Sequence, residues 1–360
     1  MRRVAIVAAI GGALAAVPAA ATAAPELSPR QLAGQRVIYS YPGLTPPPAL
    51  LRRIRAGEAA GVILFAANIS SRTQVRRVTR RLQRAAARSP VKAPLLLMTD
   101  QEGGVVRRLP GAPALSEKQI GAAAHPRSAA RRAGRTAGRN LAGVGINVNL
   151  APVLDVFRSA GDFIDEFGRS YGMQPRPVGR LGAAFIGAQQ RTGVAATAKH
   201  FPGLGAAARR QNTDERPVTL KVPLGSLRSV DEAPYRNAVA AGVRLVMASW
   251  ARYPALDPHR PAGLSRAVIR GELRRRLGFA GVTITDALGA GALRAFGATR
   301  RRAVLAAGAG MDLLLCAAQD PGEGSAAMRA LARALRSGRL RPRAFEASVT
   351  RVMALRAGLS

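Results

Sequence analysis

The sequence predicts an α/β fold of (β/α)8 TIM-barrel type, built as a single domain. Three observations predict it. Eight short apolar runs recur along the chain, amphipathic stretches of helical period separate them, and no Pro/Gly/Ser-rich linker divides the 360 residues. Apolar runs of this length suit strands buried on both faces of a parallel sheet. Their alternation with helices over this length suits a closed barrel, with a doubly wound open sheet as the alternative.

The chain opens with Arg2 and Arg3, an apolar run from Val4 to Val17, and the small residues Ala21-Thr22-Ala23. That order is expected of a secretory signal peptide, assigned to residues 1–24, with the barrel domain over 25–360. The run is short for a membrane span, which needs about 20 apolar residues. No stable membrane span is expected elsewhere. The strand runs are then "RVIYSY" (Arg36 to Tyr41), "GVILF" (Gly61 to Phe65), "LLLMTD" (Leu95 to Asp100) and "INVNLAPV" (Ile146 to Val153). They continue with "AATAKHF" (Ala195 to Phe201), "RLVMAS" (Arg244 to Ser249), "VTITD" (Val282 to Asp286) and "MDLLLCA" (Met311 to Ala317). Helical period marks Thr73 to Ala87, Ser128 to Ala142, Pro177 to Gln190 and Ser265 to Leu277. The terminal stretch "RPRAFEASVTRVMALRAGL" is amphipathic and is expected to close the barrel.

A formal charge of +35 first suggests a nucleic-acid partner. The distribution argues against it. Lysine occurs only at Lys92, Lys118, Lys199 and Lys221, the arginines are spread over many helices, and no aromatic-studded strand offers bases a stacking surface. An anionic cell envelope is a more natural counterpart for such a charge. Cys316 is the only cysteine, so no intrachain disulfide can form, and it reads as a small buried apolar residue. His125, His200 and His259 lack metal-ligand spacing, and no phosphate loop or dinucleotide fingerprint is present. No metal and no cofactor is therefore expected.

The chemically capable residues cluster at the C-terminal ends of the strand runs, which in a barrel converge on one face. "TDQEGG" follows the third run, "NLAPVLDV" the fourth, "KHFPG" the fifth and "TDAL" the seventh. Asp100 is placed to accept sugar hydroxyls, or to cap a helix, and the following glycines allow a tight turn. Lys199 and His200 are adjacent, so a regular strand would point them to opposite faces; a bulge or the strand end must reconcile them. Asp286 could cap a structural turn or attack an anomeric carbon. Arg169, in "EFGRSYG", could clamp a ligand or pair with Asp165 or Glu166.

Together these motifs resemble the N-terminal barrel of glycoside hydrolase family 3, in its single-domain β-N-acetylhexosaminidase branch. "GQRVI", "TDQEGGVVRRL", "GINVNLAPVLDV", "GRSYG", "AKHFPGLG", "PAGLS" and "GFAGVTITDAL" fall in that family's order from about Leu32 to the C-terminus. The resemblance implies retaining hydrolysis of β-linked amino sugars such as those of peptidoglycan. It implies Asp286 as nucleophile and Asp100, Arg169, Lys199 and His200 as sugar-binding residues. The branch places its acid/base in the loop after K-H-F-P-G, on the histidine of an Asp-Ser/Thr-His element. Here that loop departs from the pattern. Leu204 replaces one histidine, and the element reads Asn212-Thr213-Asp214. Asp214 thus stands where the histidine should be, with Glu215 as the alternative acid and surface pairing with Arg209, Arg210 or Arg216 as the non-catalytic role. A sugar-binding barrel without turnover is the competing expectation for the whole chain.

Overall fold

The computed structural model describes residues 27–359; the signal peptide expected over 1–24 lies outside the described residues. Eight parallel strands close into a barrel. In chain order they are β1 (Val37–Tyr39), β2 (Gly61–Ile63), β3 (Leu96–Thr99), β4 (Val148–Asn149), β5 (Ala195–Phe201), β6 (Leu245–Ala248), β7 (Val282–Ala287) and β8 (Leu313–Leu315). Each pairs with its sequence neighbours, and β1 meets β8 to complete the ring, with Val37 against Leu314. The open-sheet alternative is therefore excluded.

Helices begin where the sequence supplies a start. Ser71 accepts the N–H of Gln74 and starts Arg72–Ala87. Pro126 and Pro175 occupy the first turns of Pro126–Ala142 and Pro175–Gln190, each two residues earlier than the periodicity predicts. Proline has no N–H to lose there, and its fixed φ suits a helix start. The segment Ala267–Arg276 is wound as a π-helix, a difference that periodicity could not reveal. The fourth apolar run yields a strand of only two residues. Pro152 follows closely and cannot donate to a ladder.

Strand alternation builds two cores. Outward residues such as Val37, Tyr39, Leu97 and Ala196 pack against the helices. Inward residues Ile38, Ile63, Leu96, Met98, Val148, Leu245, Met247, Val282, Ile284 and Leu313 fill the barrel. Val352 and Leu355, from the terminal helix Pro342–Ala357, join this inner cluster. The amphipathic C-terminus closes the barrel floor, as its pattern predicts.

The floor is also held ionically. Asp312, fully buried before β8, accepts from Arg351 Nη2 at 2.7 Å, Arg274 Nη2 at 2.5 Å and the Thr283 N–H at 2.9 Å. Burial alone would raise its carboxyl pKa, but the hydrogen bond and charge of Arg351 and the charge of Arg274 prevail and hold it below the ordinary range. A depressed pKa contributes stability that is present above the unfolded value and lost as pH falls through the folded one. Removing one member of such a cluster leaves the others uncompensated, at a cost of about 3 kcal/mol. Asp312→Ala is therefore expected to lower the urea unfolding free energy by roughly that amount at pH 7. A loss below about 1 kcal/mol, the size of a surface ion pair, would show that the floor does not rely on this cluster.

Candidate active site

The inward phase of the strands sets the site. Along β3, Leu96 and Met98 point inward, and Asp100 is the next residue in phase. Along β5 the same phase runs Ala195, Thr197, Lys199; along β7 it runs Val282, Ile284, Asp286. Three charged side chains thus emerge where the apolar filling ends, at the C-terminal face. Asp100, Arg169, Lys199, His200, Asp214 and Asp286 all line one cavity of about 480 Å³. That size lies within the range of small-molecule sites.

Lys199 and His200 both reach this cavity. The pairing of β5 with β6 shifts register between Ala198 and Phe201. The irregularity required by their adjacency is therefore present.

Lys199 is only 2% exposed, and its ammonium lies 2.8 Å from Asp100 Oδ1 and 2.7 Å from Glu102 Oε1. Burial would lower its pKa, but Asp100 and Glu102 outweigh burial and raise it, so the ammonium is charged. Arg169 grips Glu102 with two parallel bonds, Nε to Oε2 at 2.9 Å and Nη2 to Oε1 at 2.9 Å. This fork fixes the guanidinium plane. Glu102 is buried, yet Arg169 and Lys199 overcome that burial and hold its carboxyl at about 2. Asp165 and Glu166 are engaged elsewhere, by Lys118 and Arg209.

His200 is oriented from behind. Its Nδ1 lies 2.8 Å from Asp155 Oδ2, and Arg169 Nη2 lies 3.4 Å from its Nε2. These contacts orient the ring, with Nδ1 toward the Asp155 carboxylate and Nε2 toward Arg169. The other oxygen of Asp155 accepts the backbone N–H of Leu204 at 2.7 Å. Leucine in the histidine's place thus keeps a backbone role while its side chain lines the cavity.

Glu102 and Asp155 were quoted within their motifs but not singled out as site residues. Glu102 lies two positions beyond Asp100, in a short antiparallel hairpin of Gln101–Gly103 with Val106–Arg107. Gly103 and Gly104 make its turn at φ of 117° and 56°, a region open chiefly to glycine. Glu117 and Tyr171 also lie behind Glu102. Glu117 Oε1 accepts the Val153 N–H at 2.9 Å, and burial, then the charge of Glu102, push its carboxyl well above the ordinary range. No local pattern distinguishes Glu117 from the first turn of a surface helix.

Asp286 ends β7 with its Oδ1 accepting its neighbour's N–H, that of Ala287, at 2.7 Å. The Ala287 carbonyl accepts the Trp250 indole N–H at 2.8 Å, which ties the strand end to the preceding loop. Asp214 stands at the solvent-open mouth. Its loop is pinned to the segment that follows β7: Gly291 N–H donates to Asp214 O at 2.7 Å and Ala292 N–H to Thr213 O at 3.0 Å. A side chain at Gly291 would meet Glu215 O at 2.1 Å, so this approach needs glycine. The charge of Asp286, then burial, raises the Asp214 carboxyl to about 6, against the lowering influence of His200 and Arg169. Glu215 is not part of the cavity wall; it accepts from Asn212 Nδ2 at 3.0 Å and meets Arg216 at 3.3 Å. Chemically, the pocket offers one carboxylate at its floor edge, a second carboxyl poised to hold a proton, and a fixed charged cradle beside them.

Among the described residues, no cluster of three or more His, Cys, Asp or Glu is arranged to hold a metal ion. No helix among them is long and apolar enough to cross a membrane.

The profile of the glycosyl hydrolase family 3 N-terminal domain matches residues 48–355. An uncharacterized secreted glycosyl hydrolase of Arthroderma benhamiae is 47% identical over 330 residues, 91% of this chain and 93% of its own length. A beta-hexosaminidase of Thioalkalivibrio sulfidiphilus is 35% identical over 74% of this chain and 75% of its own. Among solved structures, a family 3 beta-N-acetylglucosaminidase from Paenibacillus superposes with a TM-score of 0.87 at 36% identity. That match covers 93% of this chain but only 63% of the Paenibacillus chain, which is the longer of the two. A beta-N-acetylhexosaminidase from Beutenbergia cavernae gives a TM-score of 0.84 at 30% identity, covering 92% of this chain and 99% of its own. With its barrel, its motifs and these relatives in agreement, the chain belongs to glycoside hydrolase family 3, a family of glycosidases.

Proposed function

We propose that the protein is a retaining glycosidase of β-linked N-acetylhexosamines, with Asp286 as nucleophile and Asp214 as acid/base. The observation that carries this reading is the pair itself. Two carboxyls line one pocket, and the charge of one raises the other to about 6. Such divergence of two carboxyls is how acid and nucleophile roles are divided.

The reaction follows from the placement. A sugar seated against Asp100, Lys199, Arg169 and His200 finds charge-assisted donors and acceptors already fixed by their mutual contacts. Asp286 attacks the anomeric carbon while Asp214 delivers its proton to the departing glycosidic oxygen. Asp214 is then ionised and takes a proton from water, which attacks the glycosyl–Asp286 ester and frees the carboxylate. The choice of N-acetylhexosamine rests on the hexosaminidase and N-acetylglucosaminidase relatives. Secretion is supported by the charged-apolar-small N-terminus and by the secreted Arthroderma relative. Fragments of peptidoglycan are the substrate proposed for a secreted enzyme of this kind.

Two measurements test the roles. Asp286→Ala is expected to reduce kcat on an aryl β-N-acetylglucosaminide by about a thousandfold or more, roughly 4 kcal/mol, with an unchanged circular dichroism spectrum. Partial rescue by azide would mark glycosylation as the blocked step. Full activity in this variant would remove Asp286 from the mechanism.

The acid role is read from leaving groups. Asp214→Ala is expected to slow a disaccharide by about 10²–10⁴-fold while sparing an activated nitrophenyl glycoside far more, because that leaving group needs little protonation. The unmodified enzyme should lose kcat/KM as pH rises through about 6, where the Asp214 proton is lost. Equal losses on both substrates, or none, reject Asp214 as the acid.

A further inference from the structure

The positive charge is unevenly neutralised. Where Arg228 and Arg276 line a surface groove, Glu272 pairs with both and Glu232 with Arg276. A different groove, on the outer wall beside the helix Thr299–Ala309, has no such partners. Arg260, Arg266, Arg300, Arg301, Arg333 and Arg339 surround a cavity of about 690 Å³ whose wall contains no acidic residue. An adjoining cavity of about 110 Å³ shares Arg266 and Arg339 and adds Arg270 and Arg341, which with the first six make eight; the buried Arg36, also in its wall, is committed to the Met311 and Asp312 carbonyls and is left out of the count. None of these eight arginines makes a salt bridge among the described residues. The floor is apolar, formed by Val304, Leu305, Gly308 and Leu340. Burial, then the charges of Arg266, Arg341 and Arg351, lower the pKa of the Arg270 guanidinium against the raising charge of Asp312, as expected where like charges outnumber the opposite one.

Eight guanidiniums in two joined grooves call for a ligand of high and repeating negative charge. Arginine forks match phosphate oxygens two at a time, and no lysine is among them. No aromatic side chain lines the larger groove, and Phe345 in the smaller one is buried under Arg36, so no ring is open to stack bases. We propose that this groove is a docking site for a linear, phosphate-bearing polymer without aromatic bases. It lies apart from the catalytic cavity, with which it shares no lining residue. A docked polymer therefore leaves the sugar site open and holds the enzyme to an anionic matrix.

The test uses the purified protein and fluorescently labelled inorganic polyphosphate, titrated at several salt concentrations. A groove variant carries R266Q, R301Q, R333Q and R339Q. A charge-matched control carries R127Q, R131Q, R180Q and R191Q, from another arginine cluster on the barrel wall. The groove variant is expected to bind at least about tenfold more weakly, and its log Kd against log salt slope should fall by about 3, near 0.7 per lost contact. The control should change less than about threefold. Thermal unfolding checks that both variants fold, and the single R301E reversal, on an exposed helix face, should by itself weaken binding by more than about threefold. Equal weakening in groove and control variants overturns the proposal, since charge alone would then explain binding. Tighter groove-dependent binding of oligothymidylate, or of polyglutamate of equal charge, also overturns it and assigns the groove to nucleic acid or to carboxylate polymers.

Discussion

The buried ammonium of Lys199 is the interaction on which the site depends. It sits at the point where the barrel's apolar filling gives way to charge, held between Asp100 and Glu102 at 2.8 and 2.7 Å. An unpaired ammonium at this depth would lose its proton or its place. Glu102 in turn satisfies Arg169, and Arg169 reaches His200, whose far nitrogen is held by Asp155. Groups from the ends of β3, β4 and β5 are thereby locked into one rigid cradle. Such pairing contributes fixed geometry more than stability, because each buried charge must first be desolvated.

The cradle leaves Asp286 and Asp214 without a cationic partner of their own. Among the described residues, Asp286 is bonded only to its neighbour's N–H, and no cation is paired with Asp214. Lys199 and Arg169 thus pair with Asp100 and Glu102, and in the proposed mechanism Asp286 and Asp214 are left to act on the reacting bond. Replacing the histidine of the family's usual element by Asp214 changes what has to tune the proton donor. A histidine titrates near neutrality unaided, whereas a free carboxyl has a reference value of about 4. In this chain the charge of Asp286 is the largest influence raising it, ahead of burial. The loop that carries Asp214 is bonded to the backbone just beyond β7, so Asp286 and Asp214 ride on one wall.

Much of this was legible in the sequence, because alternation along a strand is a local rule. The parity of Leu96, Met98 and Asp100, or of Val282, Ile284 and Asp286, is enough to aim a side chain into a barrel. The Lys199–His200 conflict was visible as a conflict, although not its resolution. Glu117 and Asp155 were harder to read, since they act from behind the cradle through contacts 36 to 45 residues apart in the chain. Alignment with the family's element favoured Asp214 over Glu215, but which of the two adjacent residues faces the pocket was closed to sequence reasoning. In the fold Asp214, and not Glu215, lines the cavity, on a loop bonded to Gly291 and Ala292. The short fourth strand and the π-wound Ala267–Arg276 were likewise hidden, since apolar pattern reports burial rather than hydrogen-bond register.

The central claim is that the charge of Asp286 keeps the proton on Asp214. Carboxyl-carbon NMR titration of Asp214, in the unmodified protein and in Asp286→Asn, tests it directly. The account predicts an Asp214 titration near pH 6 that moves down toward the ordinary aspartate range once Asp286 is neutral. An Asp214 that titrates at the same pH in both proteins would contradict it.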